Sequence, residues 1–271
     1  MRNIKMTVAY DGSDFSGWQI QPGKPTIQGA LADIARKLTQ EKVFIQGAGR
    51  TDAGVHALGQ TINFKTNSAL LPLEFQRAFN ALLPASIRVL GAEEVERDFH
   101  ARWSALAKTY RYRIARERII SPFEWRYVLH YPYPLDEDAM LQAARLFEGQ
   151  HDFASFAAST GSGEEDADRT TLREVYSAEL VRQGGELIFT VRGKSFLRYM
   201  VRKMAGTLLE VGRGKLSPPF IRELYELKDR SRSGPTVPPQ GLCLVSVEYP
   251  AAWWKVPAAS AAAGEPPVKL R

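Results

Sequence analysis

Cysteine is nearly missing from this chain: among 271 residues only Cys243 carries a thiol. An internal disulfide is thereby excluded, as is a cysteine-rich zinc site, and the usage fits a reducing cytosol. Histidine is scarce too. His56, His100, His130 and His151 are widely spaced and fall in no ligand pattern, so no metal is expected. No apolar run reaches the roughly 18 residues of a membrane-spanning helix. The opening MRNIKMTVAYDG passes directly into strand-like alternation without the apolar stretch of a secretory signal, and a cytoplasmic protein is expected.

Familiar catalytic signatures are missing as well. GAGRTDAG is no dinucleotide fingerprint, because Asp52 stands where the third glycine belongs. GRGKLS (residues 212–217) lacks the upstream glycine and the following Ser/Thr of a phosphate-binding P-loop, and no serine sits at a nucleophile elbow. No nicotinamide, metal or other cofactor is expected.

What is present is a soluble-type composition, 44% hydrophobic and 24% charged, with net charge +6. The excess charge is uneven. Basic residues gather at Arg111, Arg113, Arg116 and Arg118, at Arg198, Arg202 and Lys203, and at Arg213 and Lys215; acidic ones gather at residues 93–96 and 164–166. That segregation is compatible with a basic groove for phosphates, and equally with solvated faces.

The element order runs twice. A strand over Met6–Tyr10 precedes a helical spacing of Ile27, Ala30, Leu31, Ile34 and Leu38. Strands are predicted at Val43–Ile45 and Gln60–Lys65, flanking GAGRTDAGVHALGQ; a helix through Phe75–Leu83 and the strand IRVLGAEEV complete the half. The second half starts with the alternating KTYRYRI (residues 108–114) and a helix from about Asp136 carrying Met140, Ala143, Ala144 and Phe147. A hairpin turns at Gln183-Gly184-Gly185 between Leu172–Val181 and Glu186–Arg192. A long helix runs from Leu197 to Val211, Ser217-Pro218-Pro219 opens another, and Gly241–Val247 is a closing strand. The expected architecture is α+β: two split βαβ halves, ferredoxin-like or RRM-like, each with an antiparallel sheet, over residues 1–105 and 106–250. Ser159–Asp168 is a polar loop, and the Ala/Pro-rich stretch within residues 251–271 is expected to be disordered.

Asp52 is the candidate catalytic residue. An aspartate in a glycine-rich loop ordinarily bonds its own turn backbone. Here Gly49 and Gly54 would let the backbone approach a ligand, and Arg50 sets a permanent cation beside the acid. Tyr110 and Tyr112 alternate with arginines on one strand, which suits stacking of unpaired RNA bases, although aromatics are ordinary strand residues. His56, four residues after Asp52, could serve it, but more often such a residue bonds locally.

YDGSDFSGWQIQP, GRTDAGVHALGQ, FHARWSALAKTYRYRI and FLRYMVRKMAGTLLEVG, in that order, resemble the successive motifs of the tRNA pseudouridine synthase A (TruA) family up to about Pro250. The resemblance implies conversion of uridine to pseudouridine in the anticodon stem-loop of tRNA, at positions 38, 39 and 40. It implies two halves packed around a central catalytic cleft, and a homodimer touching one tRNA. By motif position Asp52 matches the catalytic aspartate, Tyr110 the tyrosine against the target base, Arg202 the basic partner of the aspartate, and Arg50 the arginine that holds the flipped nucleotide aside. Thr61 and Asn63 replace residues more often Val and His, a change expected to touch only the local strand.

The chemistry suits the residues. Rejoining ribose C1′ from uracil N1 to C5 oxidises nothing, and a carboxylate is both nucleophile and leaving group. Attack on C1′, attack on C6 and proton abstraction from the sugar all stay open. Burial would neutralise such an acid, and an opposite charge ~4 Å away offsets most of that at ~4 kcal/mol. Two other readings share the features: a non-catalytic RNA-binding protein with two RRM-like halves, for which Asp52 has no purpose, and an N-glycosidase, which would release free uracil.

Overall fold

The computed structural model describes residues 1–158 and 170–253. The predicted loop Ser159–Asp168 and the tail from Pro257 lie outside the described residues.

The first half builds as its periodicity demands. Alternating residues make β1 (Arg2–Tyr10), and Thr26 caps α1 (Ile27–Thr39) by accepting from Gly29 N at 3.2 Å. Helix α1 buries Ile27, Leu31, Ile34 and Ala35. The next strand, β2, is only Gln46–Gly47 and falls just after the predicted Val43–Ile45. Strand β3 (His56–Thr66) starts earlier than predicted, α2 (Pro72–Leu82) sets Phe75 and Phe79 against Phe64, and β4 (Ile87–Val95) closes the unit as predicted. Asn63, buried in β3, donates to Asn3 Oδ1 at 2.9 Å and accepts from Ala101 N at 2.8 Å, so the strand runs undisturbed through it.

The second half begins with β5 (Ala107–Ala115), then the two-residue β6 (Leu129–His130) and α3 (Glu137–Arg145). Short β7 (Gly149–Asp152), which the sequence did not announce, joins the hairpin β8 (Leu172–Gln183) and β9 (Glu186–Gly193), turned through Gly184 and Gly185 at positive φ. Helix α4 spans Met200–Gly212, so Leu197 and Arg198 precede it rather than belong to it. Helix α5 is Phe220–Leu227, with Pro219 rather than Ser217 at its cap, and β10 is Leu242–Glu248.

The strands form one ten-stranded sheet in the order β4-β1-β3-β10-β5-β9-β8-β7, with β2 on β3 and β6 on β5. The α+β expectation holds, but the antiparallel sheets of the halves are not separate. They join edge to edge where β10 pairs with β3 in parallel, through Cys243 opposite His56 and Leu244 opposite Ala57. An open edge of β3 beyond the two-residue β2 leaves unpaired backbone groups, and β10 satisfies them. This seam sets the segments leading into β3 and β10 side by side. The three residues Ala251–Trp253, inside the stretch expected to be disordered, make a 3-10 turn: Trp253 O accepts from Glu96 N at 3.2 Å and its ring edges onto Phe99.

Candidate functional site

Asp52 lies on the loop between β2 and β3, and the loop is held from several sides. Ala48 N donates to Thr61 O (2.8 Å), Gln60 Nε2 to Gly49 O (2.9 Å) and Trp18 N to Thr51 O (3.0 Å). The Thr51 hydroxyl meets the buried Tyr10 hydroxyl at 2.8 Å. Val55 N closes a turn on Asp52 O at 3.2 Å. Gly54 takes φ +78°, where a Cβ would stand 2.9 Å from Pro239 Cγ. The expectation that Gly54 keeps the backbone open for a ligand is therefore corrected, whereas the space around Gly49 is as open as expected. Gly54 serves chain reversal and close packing on the segment before β10, and a Cβ at Gly49 would meet only the Tyr110 hydroxyl, at 3.4 Å.

The cation comes from 150 residues away. Arg202 Nη1 donates to Asp52 Oδ2 at 3.0 Å, and its Nε donates to Val237 O at 2.8 Å. Arg202 sits in the first turn of α4, a helix buried on nearly every side, so its backbone is fixed by the core. Gly206 on that helix lets Pro235 O approach to where a Cβ would be 1.8 Å away, which seats the strand of chain carrying Val237 against α4. The pair is mostly covered, Arg202 being 12% and Asp52 21% exposed at the side chain. Burial pushes the Asp52 carboxyl above its ordinary range, and the hydrogen bond and charge of Arg202, then the charge of Arg198, pull it back. Desolvation is the larger effect.

Tyr199 is the site residue that sequence reasoning missed. It caps α4 in the left-handed region at φ 65°, an arrangement costing a non-glycine residue about 1–3 kcal/mol. Its ring lies under both neighbouring guanidiniums, with Arg202 Cζ and Arg198 Cζ each 4.9 Å from the centroid. The only hint in the sequence was an aromatic between two arginines, and a strained backbone cannot be read from that.

Tyr110, on β5, is 7% exposed, edges onto Phe196 at 5.1 Å, and feels the Asp52 charge. Burial raises its phenol well above the usual range, and its hydroxyl has no hydrogen-bond partner among the described residues. The structure thus gathers Asp52, Arg202 and Tyr110. Arg50 shares the loop with Asp52 and is exposed.

The basic and aromatic residues of β5 do not cooperate as expected. Alternation puts Tyr110 and Tyr112 on one face and Arg111 and Arg113 on the other. Tyr112 is a core residue donating to Pro238 O at 2.8 Å. Arg113 is held by Glu186 and Glu124, Arg116 by Glu137, Arg213 and Lys215 by Glu210. The acidic run is matched likewise: Glu93 pairs with Lys5 and Glu94 with Arg2. Much of the supposed phosphate groove is intramolecular ion pairing. His56 does not serve Asp52 either; its Nδ1 accepts from Gly12 N at 3.2 Å beside Asp11, its Nε2 meets Arg126 O at 3.0 Å, and burial holds its pKa down. Among the described residues no helix is long and apolar enough to cross a membrane.

The tRNA pseudouridine synthase family model matches residues 6–104 and 143–250. A tRNA pseudouridine synthase A of Solibacter usitatus is 49% identical to this chain over 92% of its residues and 100% of that protein. One from Geobacillus sp. is 47% identical over 92% of this chain and 98% of its own, and one from Caldicellulosiruptor bescii 45% identical over 92% and 100%. The archaeal box H/ACA sRNP Nop10-Cbf5 complex is a distant structural likeness, at 14% identity and TM-score 0.34 over 76% of this chain and 43% of that one. With both halves matched and the relatives aligned over essentially their whole length, the chain belongs to the tRNA pseudouridine synthase family.

Proposed function

We propose that this chain isomerises uridine to pseudouridine in the anticodon stem-loop of tRNA, at positions 38, 39 and 40, with Asp52 as the covalent catalyst. Membership of the family makes it an isomerase of tRNA uridines. The observation that carries the role of Asp52 is its 3.0 Å bond to an arginine delivered from the other half of the chain. A nearly buried carboxylate would take up a proton and lose its nucleophilicity; a fixed guanidinium opposes this while leaving one carboxylate oxygen outside the pair. The glycosidic bond breaks from N1, the base turns, and C1′ rejoins at C5, whose hydrogen leaves as a proton while N1 takes one up from solvent.

In this reading Tyr110, whose hydroxyl has no partner among the described residues and whose phenol feels the Asp52 charge, stacks on the displaced ring, and Arg50, exposed on the same loop as Asp52, fills the space the nucleotide vacates. Extrusion from a stem costs a few kcal/mol, which these contacts offset. The two halves are read as split βαβ units about a central cleft, because their strand orders repeat as β4-β1-β3-β2 and β10-β5-β9-β8. A cytoplasmic homodimer sharing one tRNA completes the reading.

The test is tritium release from tRNA labelled at uracil C5, with a modification map of the product. Release at 38–40 without loss of base supports the reading. Binding without release would make the chain a non-catalytic RNA binder, and liberated uracil would make it a glycosidase.

A further inference from the structure

Lys108 is the one charged residue on the Tyr110 face of β5, and it is buried. Strand β5 pairs regularly with β9 from Lys108 opposite Gly193 to Ala115 opposite Glu186, so Lys108, Tyr110, Tyr112 and Ile114 point the same way. Lys108 and Tyr110 are therefore about 7 Å apart along the strand. Gly193, opposite Lys108, brings no side chain of its own; a Cβ there would meet Phe196 at 3.2 Å, and Phe196 is the ring that edges onto Tyr110. Asp52, Tyr110, Phe196 and Lys108 thus form one strip.

Burial leaves Lys108 8% exposed, yet its ammonium has no hydrogen bond or ion pair among the described residues. Burial, and after it the like charges of Arg102 and Arg173, bring its pKa down to about 8. The pKa of His100 is likewise lowered by burial, with Arg102 and Lys65 adding to it. A lysine buried without an anion is costly, and core positions of this kind are ordinarily apolar or paired. Every other strongly buried cation described above has an acceptor: Arg202 has Asp52 and Val237 O, Lys203 has Arg230 O, Lys5 has Glu93.

We propose that Lys108, in the field of Arg102 and Arg173, binds a backbone phosphate of the RNA strand within two nucleotides of the uridine at Tyr110, and so positions that strand for Asp52. The inference rests on the site assignment above. Compact, rotatable ammonium donors suit a point contact to one phosphate oxygen, and such contacts fix register rather than sequence.

The experiment uses the full chain with tRNA and with anticodon-arm RNAs carrying one neutral methylphosphonate linkage at a time. K108M is expected to weaken binding about tenfold at physiological salt and to lower the salt slope of log K by roughly 0.7–0.9. The loss should fall mainly on KM, and K108R should recover most of it. One neutral linkage within two nucleotides of the target should weaken wild type to a similar degree and leave K108M unaffected, an outcome that no purely structural role of the lysine produces. K108M should also melt at higher temperature than wild type. Unchanged affinity and slope in K108M, a flat linkage scan, or a lower melting temperature would each overturn the proposal. Failure of wild type itself to convert tRNA uridine would instead overturn the assignment beneath it.

Discussion

Arg202→Met removes the cation that opposes the desolvation of Asp52, and the effect can be sized. Opposite charges about 4 Å apart interact by ~4 kcal/mol at an effective dielectric near 20. Partial exposure of both side chains, 12% and 21%, admits screening water, and halving that figure leaves about 2 kcal/mol, or about 30-fold in the ease of ionising the acid. The sign is fixed by the causes: burial already raises the Asp52 pKa and Arg202 lowers it, so the variant moves further upward. Activity that needs the carboxylate is lost as pH falls through that pKa, so the acid limb of kcat/KM shifts to higher pH. Tritium release followed from pH 5 to 9 should show a loss of about 30-fold on the acid side that shrinks as the pH rises. Arg202→Lys keeps the charge but forfeits the second hydrogen bond, to Val237 O, and should fall between the two. A variant reduced by one constant factor at every pH would refute the electrostatic account and leave Arg202 a purely structural residue.

Asp52→Asn should keep the Arg202 contact and tRNA affinity within about threefold while turnover falls by on the order of 10⁴, read by single-turnover assay. Tyr110→Phe should unfold at nearly the wild-type denaturant concentration, because its hydroxyl has no partner among the described residues; Tyr110→Ala should lose about 3–5 kcal/mol, so only the Phe variant reports on substrate contact. Gly54→Ala should destabilise by about 1–2 kcal/mol in urea titrations, from its left-handed φ and the clash with Pro239. The folded-state pKa of Lys108, about 8, lies below its ordinary 10.5, so the native state carries roughly 3 kcal/mol of penalty below pH 8 that is relieved as pH rises toward 10.5. Urea unfolding of the tRNA-free protein should show that gain in wild type and not in K108M.

Local features were legible where the chain repeats a period or a motif. The helical spacing of α1, the hairpin glycines and the alternation of β5 fixed their elements, and the motifs led to Asp52, Tyr110 and Arg202. Length hid others: β2 and β6 are two residues each and exist only because a neighbour offers an edge. The sharing of arginines among Glu186, Glu137 and Glu210 depends on which strands and turns come together, so a count of basic residues overstated the surface left for RNA. Period two itself would have separated Arg111 from Tyr110 and aligned Lys108 with it. Tyr199 stayed hidden because a left-handed cap on a tyrosine answers to packing around α4, not to its own preference.

The parallel seam of β3 and β10 has a consequence for biosynthesis. The acid is made early, its counter-charge 150 residues later, and the segment that clamps the counter-charge only just before the last strand. A ribosome-bound chain that has not yet reached Arg202 and Val237 therefore displays a carboxylate without its counter-charge or the clamp on that charge. On the role proposed for Asp52, catalytic competence waits for that late segment, so an unfinished copy does not rearrange a nucleoside in the tRNAs that crowd the ribosome around it.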